Sequence, residues 1–295
     1  MKIGMAEIDG RARPVLVEGG RPARLFSPQY ADLLSLIGQA LEGDCKTLLD
    51  GSPVSGPVRL LAPIPRPRRN IFCVGKNYRE HAHEFAGSGF DSSAGAGAIP
   101  DAPIIFSKVP ETVIGPGDAI EYDPAVSEAI DYEAELAVII GKGGRRISKS
   151  DAMDHVWGYT IVNDVTARDV QSRLKQWLVG KSFDTFCPMG PWAVTKDEID
   201  LNDTTVRTWV NGELRQDANT RDLIFDVPTI IETISAGVTL YPGDVIATGT
   251  PAGVGIGFKP PKFLRNGDVV KLEISGIGQL ENAVRAHSAA KNPRK

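Results

Sequence analysis

Two glutamates stand at alternate positions in the stretch 131–136, Asp-Tyr-Glu-Ala-Glu-Leu, which runs directly into the apolar stretch 137–141. Because strand side chains alternate between two faces, we expect Glu133 and Glu135 to project from the same face. Adjacent carboxylates repel each other, and a divalent cation with a preference for oxygen ligands, such as Mg²⁺, Mn²⁺ or Ca²⁺, would remove that repulsion. An edge strand with two solvated acids explains the same spacing, and for an isolated pair it is the commoner arrangement.

A third acid, Asp164, follows the apolar stretch 158–162, which predicts a buried strand. Ligand-binding groups commonly lie at the carboxyl ends of strands. Asp164 could therefore complete a three-carboxylate site that leaves positions for water and substrate oxygens. Asp131 is expected beside this site but outside the ligand set. Acids are plentiful nearby, which weakens the argument from spacing alone; they are Glu121, Asp123 and Glu128.

His81 and Glu84 are three residues apart in a predicted short helix, so they share one helix face. A carboxylate that orients an imidazole in this way would let His81 remove a proton from water. A surface ion pair is the alternative. Lys181 lies near Phe183 in a segment that mixes polar and apolar residues. It is either a partly desolvated cation that stabilises an oxyanion or enolate, or an ordinary surface lysine.

The glycine-rich stretch 248–255, Thr-Gly-Thr-Pro-Ala-Gly-Val-Gly, follows a predicted buried strand. Its backbone N–H groups and the hydroxyl of Thr250 could bind a substrate carboxylate, although a structural turn fits the local sequence equally well. No Lys-Ser or Lys-Thr follows the glycines, so the stretch is not a phosphate-binding loop. The chain also lacks a Gly-x-Ser-x-Gly elbow, which disfavours a serine hydrolase of the α/β type.

The composition is that of an ordinary globular protein, with 42% hydrophobic and 24% charged residues among 295. A formal net charge of -4 and a pI near 5.7 give no electrostatic reason to expect nucleic acid or an anionic membrane as a partner. No long apolar run and no signal-peptide core is present, so we expect a cytoplasmic protein. Three widely separated cysteines predict buried thiols rather than disulfides; they are Cys45, Cys73 and Cys187.

The sequence predicts two domains. Residues 1–67 form a small N-terminal α/β domain together with a connector, and residues 68–295 form the catalytic domain. The boundary is placed by five prolines between positions 53 and 67, which predict an extended connector.

Local patterns predict a strand-rich α+β fold. Apolar runs bounded by turn residues recur through 68–295, while helical patterns are few and short. A curled or barrel-like mixed sheet therefore fits better than a doubly wound α/β layer. Residues 27–28, Ser-Pro, predict the start of a helix that Gly43 ends. Residues 211–212, Asn-Gly, predict a type I′ hairpin turn, and the small residues of 86–98 predict a mobile loop that could act as a lid.

Taken together and in order, five motifs resemble those of the fumarylacetoacetate hydrolase family. They are Gly75-x-Asn77-Tyr78-x-x-His81-x-x-Glu84, Asp131-x-Glu133-x-Glu135-Leu136, Asn163-Asp164-x-Thr166-Ala167-Arg168-Asp169-x-Gln171, Gly180-Lys181-Ser182-Phe183-Asp184, and Thr248-Gly249-Thr250-Pro251-x-Gly253-Val254-Gly255. One feature departs from the pattern: fumarylacetoacetate hydrolases proper carry a further aspartate ligand shortly before the catalytic histidine, and here no acid lies between Ile71 and Arg79. This favours the acylpyruvase-like branch.

The resemblance implies a mixed β-roll of the family's C-terminal-domain type, usually a homodimer, that binds Mg²⁺ or Mn²⁺, and in vitro also Ca²⁺. The implied metal ligands are Glu133, Glu135 and Asp164. His81 and Glu84 are assigned as the dyad that activates water, and Lys181 as the cation that stabilises the enolate. The implied substrate contacts are Tyr78, Arg168, Gln171 and Thr250.

The implied activity is metal-dependent hydrolysis of a carbon–carbon bond in an acylpyruvate-type 2,4-dioxo acid such as fumarylpyruvate, a step of aromatic catabolism. The same scaffold supports oxaloacetate-type decarboxylation, hydration and isomerisation of 2-oxo acids, which share an enolate intermediate. A non-catalytic, calcium-stabilised binding protein would use the three acids structurally, but it gives His81, Glu84 and Lys181 no joint purpose.

Overall fold

The computed structural model describes residues 1–40, 45–91 and 99–287, and the statements below refer to these. The leading segment contains five strands and one helix. Their bounds are β1 Lys2–Ile8, β2 Arg11–Glu18, β3 Arg21–Phe26, α1 Leu33–Ala40, β4 Leu49–Pro53 and β5 Arg59–Leu61.

Short strands dominate the rest of the chain. In the first part they alternate with three helices: β6 Ile71–Gly75, α2 Arg79–Ala86, β7 Ile104–Lys108, β8 Val113–Ile114, β9 Ile120–Tyr122, β10 Ile130–Asp131, β11 Ala134–Ile140, β12 Val156–Asn163, β13 Thr166–Ala167, α3 Arg168–Leu174 and α4 Leu178–Lys181. The remaining elements are β14 Cys187–Thr195, β15 Thr205–Val210, β16 Glu213–Asn219, α5 Val227–Ser235, β17 Val245–Ala247, β18 Val269–Ile274 and β19 Gly278–Ala286. No helix of the described part is long and apolar enough to cross a membrane.

The strands form mixed sheets. The largest runs in the order β4-β3-β2-β1-β14-β12-β11-β17-β6-β7, with β5 beside β1 and β8 beside β14. A second sheet runs β16-β15-β18-β19-β9, and β10 pairs with β13. Most pairs are antiparallel, whereas β17 with β6, β8 with β14 and β9 with β19 are parallel. The strand-rich prediction with a mixed sheet is therefore confirmed.

Strand β11 lies inside the largest sheet, between β12 and β17. All seven of its residues are buried, which agrees with its near-continuous apolar sequence. The alternative of a solvated edge strand is therefore wrong. Glu133 lies just before the strand and Glu135 is its second residue, so both carboxylates are carried at the start of a rigid central element.

The leading segment continues the large sheet, because β1 pairs with β14 at Lys2↔Val194 and Ile3↔Ala193. Its apolar side chains also share one core with those of later strands, as Ile3 and Phe26 do with Ala137. The domain division at 67/68 stays a prediction, since the sheet runs across it.

Two local predictions have clear outcomes. Asn211 and Gly212 take positive φ angles of 51° and 81° and join β15 to β16, so the predicted hairpin is confirmed. The first helix begins at Leu33 rather than at 27–28, because Asp32 and Ser35 exchange side-chain-to-backbone hydrogen bonds of 2.8 and 3.3 Å that start the helix there. Gly43 and residues 92–98 of the predicted lid loop lie outside the described residues.

Candidate active site

Three carboxylates converge where β11 begins and β12 ends. One oxygen from each of Glu133, Glu135 and Asp164 lies within 4.8 Å of the others, and all three residues are buried. The backbone holds this arrangement, since the N–H of Asp164 donates a 2.9 Å hydrogen bond to the carbonyl oxygen of Glu133. The structure thus brings together the three acids that the sequence singled out.

Three buried cations surround these acids. The Lys181 ammonium lies between Glu133 Oε2 and Asp164 Oδ2, at 2.8 Å from each. The Arg168 guanidinium lies 2.6 Å from Glu133 Oε1, and the Lys108 ammonium lies 2.7 Å from Asp164 Oδ1. Lys181 is therefore not an ordinary surface lysine.

Lys108 was missed by sequence reasoning although its side chain is fully buried. It also donates to the carbonyl oxygen of Val165 at 3.0 Å and to that of Lys181. The one signal available was a lysine at the end of the predominantly apolar strand Ile104–Lys108. A lysine there is equally common at an exposed strand end, so the pattern alone does not identify a buried ammonium.

The cations affect the acids unequally. Burial opposes ionisation of Glu133, but the Lys181 ammonium and the Arg168 guanidinium outweigh it and lower the pKa of Glu133 to about 2. Burial, and then the charges of Asp164 and Glu133, raise the pKa of Glu135 well above its ordinary value. Glu135 is therefore the acid whose charge the surrounding side chains compensate least.

This donor set suits a hard divalent cation. Three carboxylates supply oxygen ligands, and one of them, Glu135, is short of compensating positive charge. Its carboxylate accepts a 2.8 Å hydrogen bond from the N–H of Gly249. Since carboxylate oxygens are the ligands that Mg²⁺ and Mn²⁺ prefer, the residues present fit such an ion. Glu133, Glu135 and Asp164 are the residues that would hold it.

His81 and Glu84 form a pair on α2, with His81 Nδ1 3.0 Å from Glu84 Oε2. The side chain of His81 is only 6% exposed and that of Glu84 16%, so this is not a surface ion pair. The second oxygen of Glu84 accepts a 3.0 Å hydrogen bond from the N–H of Gly253. Because Nδ1 faces Glu84, the other ring nitrogen, Nε2, is the one left to exchange a proton with a substrate.

The stretch 248–255 has a different role from the one predicted for its N–H groups. Those groups donate to the protein's own carboxylates: Gly249 to Glu135, Gly253 to Glu84 and, at 2.6 Å, Gly255 to Asp131. The stretch therefore holds acids in place, and this hydrogen-bonding pattern was invisible in the local sequence. Asp131 also accepts a 2.9 Å hydrogen bond from Arg168 Nε, which keeps it beside the acid cluster but outside it.

Two glycines permit this packing by close approach. A Cβ at Gly257 would lie 1.7 Å from Glu84 Oε1, so any side chain there would displace the carboxylate that orients His81. A Cβ at Gly75 would lie 2.4 Å from the ring of Trp177, which could then no longer pack against β6.

Two of the acids, two of the cations and His81 line one small cavity of about 20 Å³, which Asp164 and Lys108 do not line. Its lining is Val74, Gly75, Lys76, His81, Phe85, Phe106, Glu133, Glu135, Arg168, Gln171, Trp177, Lys181 and Thr250. The volume suits about one water molecule, so a larger ligand enters only when lining side chains move. One wall is aromatic, since Trp177 packs edge-on against Phe85 and Phe106 at 5.9 and 5.1 Å between ring centroids.

Most of the side chains predicted to act on a substrate meet at this cavity. Arg168, Gln171 and Thr250 line it, whereas Glu84 lies behind His81. Tyr78 does not line it but borders a second, larger cavity together with Arg221 and other residues. Tyr78 is 2% exposed, and burial, then the charge of Glu135, raises the pKa of its hydroxyl above the usual range.

Comparison with known proteins gives consistent matches. The family model described as fumarylacetoacetate (FAA) hydrolase C-terminal matches residues 70–285. An oxaloacetate tautomerase, YisK of Bacillus subtilis (strain 168), is 56% identical over 228 residues, which cover 77% of this chain and 73% of that protein.

Two solved structures extend the comparison. A fumarylacetoacetate hydrolase from psychrophilic Exiguobacterium antarcticum has a TM-score of 0.84 at 45% identity and covers 97% of this chain and 100% of its own. A 2-hydroxyhepta-2,4-diene-1,7-dioate isomerase from Mycobacterium marinum has a TM-score of 0.77 at 36% identity, covering 98% of this chain and 99% of its own. The predicted fold type is thereby confirmed.

Proposed function

The chain belongs to the fumarylacetoacetate hydrolase family, and from that membership we propose that it is a divalent-metal-dependent enzyme that interconverts the keto and enol forms of oxaloacetate. The observation that carries the proposal is the His81–Glu84 pair near the three-carboxylate cluster, with His81, Glu133 and Glu135 lining one cavity. The names of the relatives support the substrate, because one is an oxaloacetate tautomerase and another an isomerase of a hydroxydienedioate.

Keto–enol interconversion moves one proton from C3 of the 2-oxo acid to the oxygen on C2, with no net gain or loss of atoms. His81 would take the C3 proton on Nε2, Glu84 would stabilise the resulting imidazolium through Nδ1, and Nε2 would then return the proton to the C2 oxygen. A divalent cation bound by Glu133, Glu135 and Asp164 would supply Lewis-acid polarisation of the C2 carbonyl.

Two further cations of the cavity would act on the substrate's oxygens. Lys181, whose ammonium lies among the carboxylates, would place positive charge near the oxygen that becomes negative as the C3 proton leaves. Arg168 and Gln171, which line the cavity, would orient the C1 carboxylate, and Thr250 would donate its hydroxyl.

Hydrolysis of an acylpyruvate is the second candidate. The same imidazole–carboxylate pair could activate water for attack on the distal carbonyl. The tautomerase is preferred because both the curated relative and one structural relative are named for proton-transfer reactions.

One experiment separates the candidates. The enol absorbance of oxaloacetate is followed with Mg²⁺ or Mn²⁺ and with chelator, alongside an acylpyruvate panel and product analysis for pyruvate. We expect metal-dependent tautomerisation without pyruvate release. Formation of pyruvate from acylpyruvates would favour the hydrolase, and formation of pyruvate from oxaloacetate would favour a decarboxylase.

His81→Ala tests the proton carrier, and His83→Ala is its control because His83 is exposed on the same helix. We expect His81→Ala to lower kcat by about a hundredfold or more, with unchanged metal affinity, while His83→Ala keeps the parent rate. Equal rates for the two variants would contradict the assignment.

The homodimer and the cytoplasmic location stay predictions from the sequence. Light scattering after gel filtration tests the first, with twice the chain mass of 31.7 kDa as the expected result.

A further inference from the structure

Lys76 is a cavity-lining cation outside the carboxylate cluster. It follows β6 directly and has a φ angle of 54°, a left-handed conformation that is uncommon for residues other than glycine. Its side chain is 4% exposed and lines the same cavity as His81 and Glu133. A buried lysine held in an unfavourable backbone conformation is a candidate for function.

The partner of Lys76 differs in kind from those of the other cavity cations. Lys181 and Arg168 both lie against Glu133, so they belong to the acid cluster. The Lys76 ammonium instead lies 2.6 Å from Asp91 Oδ2, a carboxylate that follows α2. Its ammonium also lies 5.5 Å from the centre of the Phe85 ring, which is part of the cavity lining.

We propose that Lys76 binds the distal carboxylate of a 2-oxo dicarboxylate, and that Asp91 is the internal carboxylate that this group displaces. The inference rests on the proposed function and deepens it. A substrate whose C1 carboxylate and C2 oxygen face the acid cluster extends its C4 group away from that cluster. The rest of the lining includes Phe85, Phe106 and Trp177, which cannot compensate a negative charge. Lys76 is the lining cation that is not paired with the acid cluster, so it is the one available to a second carboxylate.

Exchange of one carboxylate for another makes the displacement feasible. Lys76 keeps a charge-assisted partner before and after binding, so no buried ammonium is left uncompensated. Asp91 is 19% exposed and reaches water more readily than Lys76 does. The pair therefore favours substrates that bring their own second carboxylate over those that end in a methyl group and leave the Lys76–Asp91 pair unchanged.

Two stable ligands test this without turnover. Malate and 2-hydroxybutyrate have the same four-carbon chain and chelating end, and they differ in having a carboxylate or a methyl group at the far end. Titration calorimetry with Mg²⁺ present gives the ratio of their dissociation constants. We expect the parent protein to prefer malate by about tenfold or more, and Lys76→Met to lose that preference while binding 2-hydroxybutyrate as before.

Two other variants act as matched controls. Lys76→Arg keeps the charge and should retain a preference for malate. Asp91→Asn removes the competing carboxylate and should tighten malate binding with little effect on 2-hydroxybutyrate. If Lys76→Met does not fold, as judged by circular dichroism, Lys76→Arg and Asp91→Asn still decide the question.

The inference is overturned if Lys76→Met keeps the preference for malate, or if Asp91→Asn leaves malate affinity unchanged. It is also overturned if Lys76→Met weakens the binding of both ligands equally, because the Lys76–Asp91 pair would then have a purely structural role. Because binding is measured apart from catalysis, a protein that prefers malate but does not tautomerise oxaloacetate would refute the proposed function alone. One that tautomerises oxaloacetate without preferring malate would refute this inference alone.

Discussion

Lys108 offers a direct test of how the acid cluster is stabilised. Its ammonium is fully buried and donates to Asp164 Oδ1 at 2.7 Å and to the carbonyl oxygens of Val165 and Lys181. Lys108→Met keeps most of the apolar stem and removes the charge and all three hydrogen bonds. The substitution therefore leaves a buried carboxylate with less compensation and two carbonyl oxygens without this donor.

The expected cost follows from the burial. Breaking a buried ion pair by removing one partner costs about 3–5 kcal/mol, and no reduction for solvent screening applies because both side chains are 0% exposed. We expect the free energy of unfolding of Lys108→Met to fall by about that amount in chelator. Mg²⁺ should restore part of the loss, since it returns positive charge to the cluster. A concentration of about 100 times its Kd would add about 2.7 kcal/mol.

Lys149→Met is the control for this measurement. Lys149 pairs with Asp226 at 3.0 Å, but both side chains are more than half exposed, so its loss should cost about 1 kcal/mol or less. Urea unfolding followed by fluorescence, with chelator and with Mg²⁺, compares the two variants. If Lys108→Met lost no more stability than Lys149→Met, the reasoning that links burial of this ion pair to stability would be refuted.

Two further predictions concern metal binding and the His81–Glu84 pair. Because the pKa of Glu135 is raised, the metal-free protein keeps this carboxyl protonated at pH values above the ordinary pKa of 4.5. The stability that this proton contributes is fully present below pH 4.5 and is lost as the pH rises through the raised pKa. Metal affinity should therefore increase with pH and binding should release protons, measurable by calorimetry in buffers of different ionisation enthalpy, whereas pH-independent affinity would contradict the raised pKa. Gly257→Ala should displace Glu84 and lower kcat by about tenfold without changing metal affinity. Gly237→Ala is the control, because nothing lies within 4 Å of its added Cβ, and it should leave the steady-state kinetics unchanged. Equal effects of the two variants would contradict the claim that a side chain at position 257 displaces Glu84.

Periodicity was enough to predict the carboxylates because it is a local property. Glu133 and Glu135 are two positions apart, so strand geometry alone places them together. Asp164 follows another apolar stretch, and its meeting with Glu133 needed only the common arrangement of groups at strand ends. The strand-rich fold class was predictable for the same reason, since apolar runs bounded by turn residues repeat along the chain.

The contacts that hold these groups are long-range, and no local pattern encodes them. Lys108 meets Asp164 across 56 positions, and the N–H of Gly253 meets Glu84 across 169. Such pairs depend on sheet order, in which β17 and β6 lie side by side although they are far apart in sequence. The helix start at Leu33 was missed for a local reason. Asp32 and Ser35 form a reciprocal cap that starts the helix there instead of at Ser27 and Pro28.

The charge balance of the cluster connects the metal to the substrate. Asp131, Glu133, Glu135 and Asp164 face three cations, which are Lys108, Lys181 and Arg168. With Glu135 protonated in the metal-free protein, the three other acids balance the three cations; a bound divalent cation, which displaces that proton, leaves the group with one excess positive charge. Substrate affinity should therefore depend on the metal more steeply than chelation alone requires, because the cation gives the group a net positive charge that attracts the incoming carboxylate.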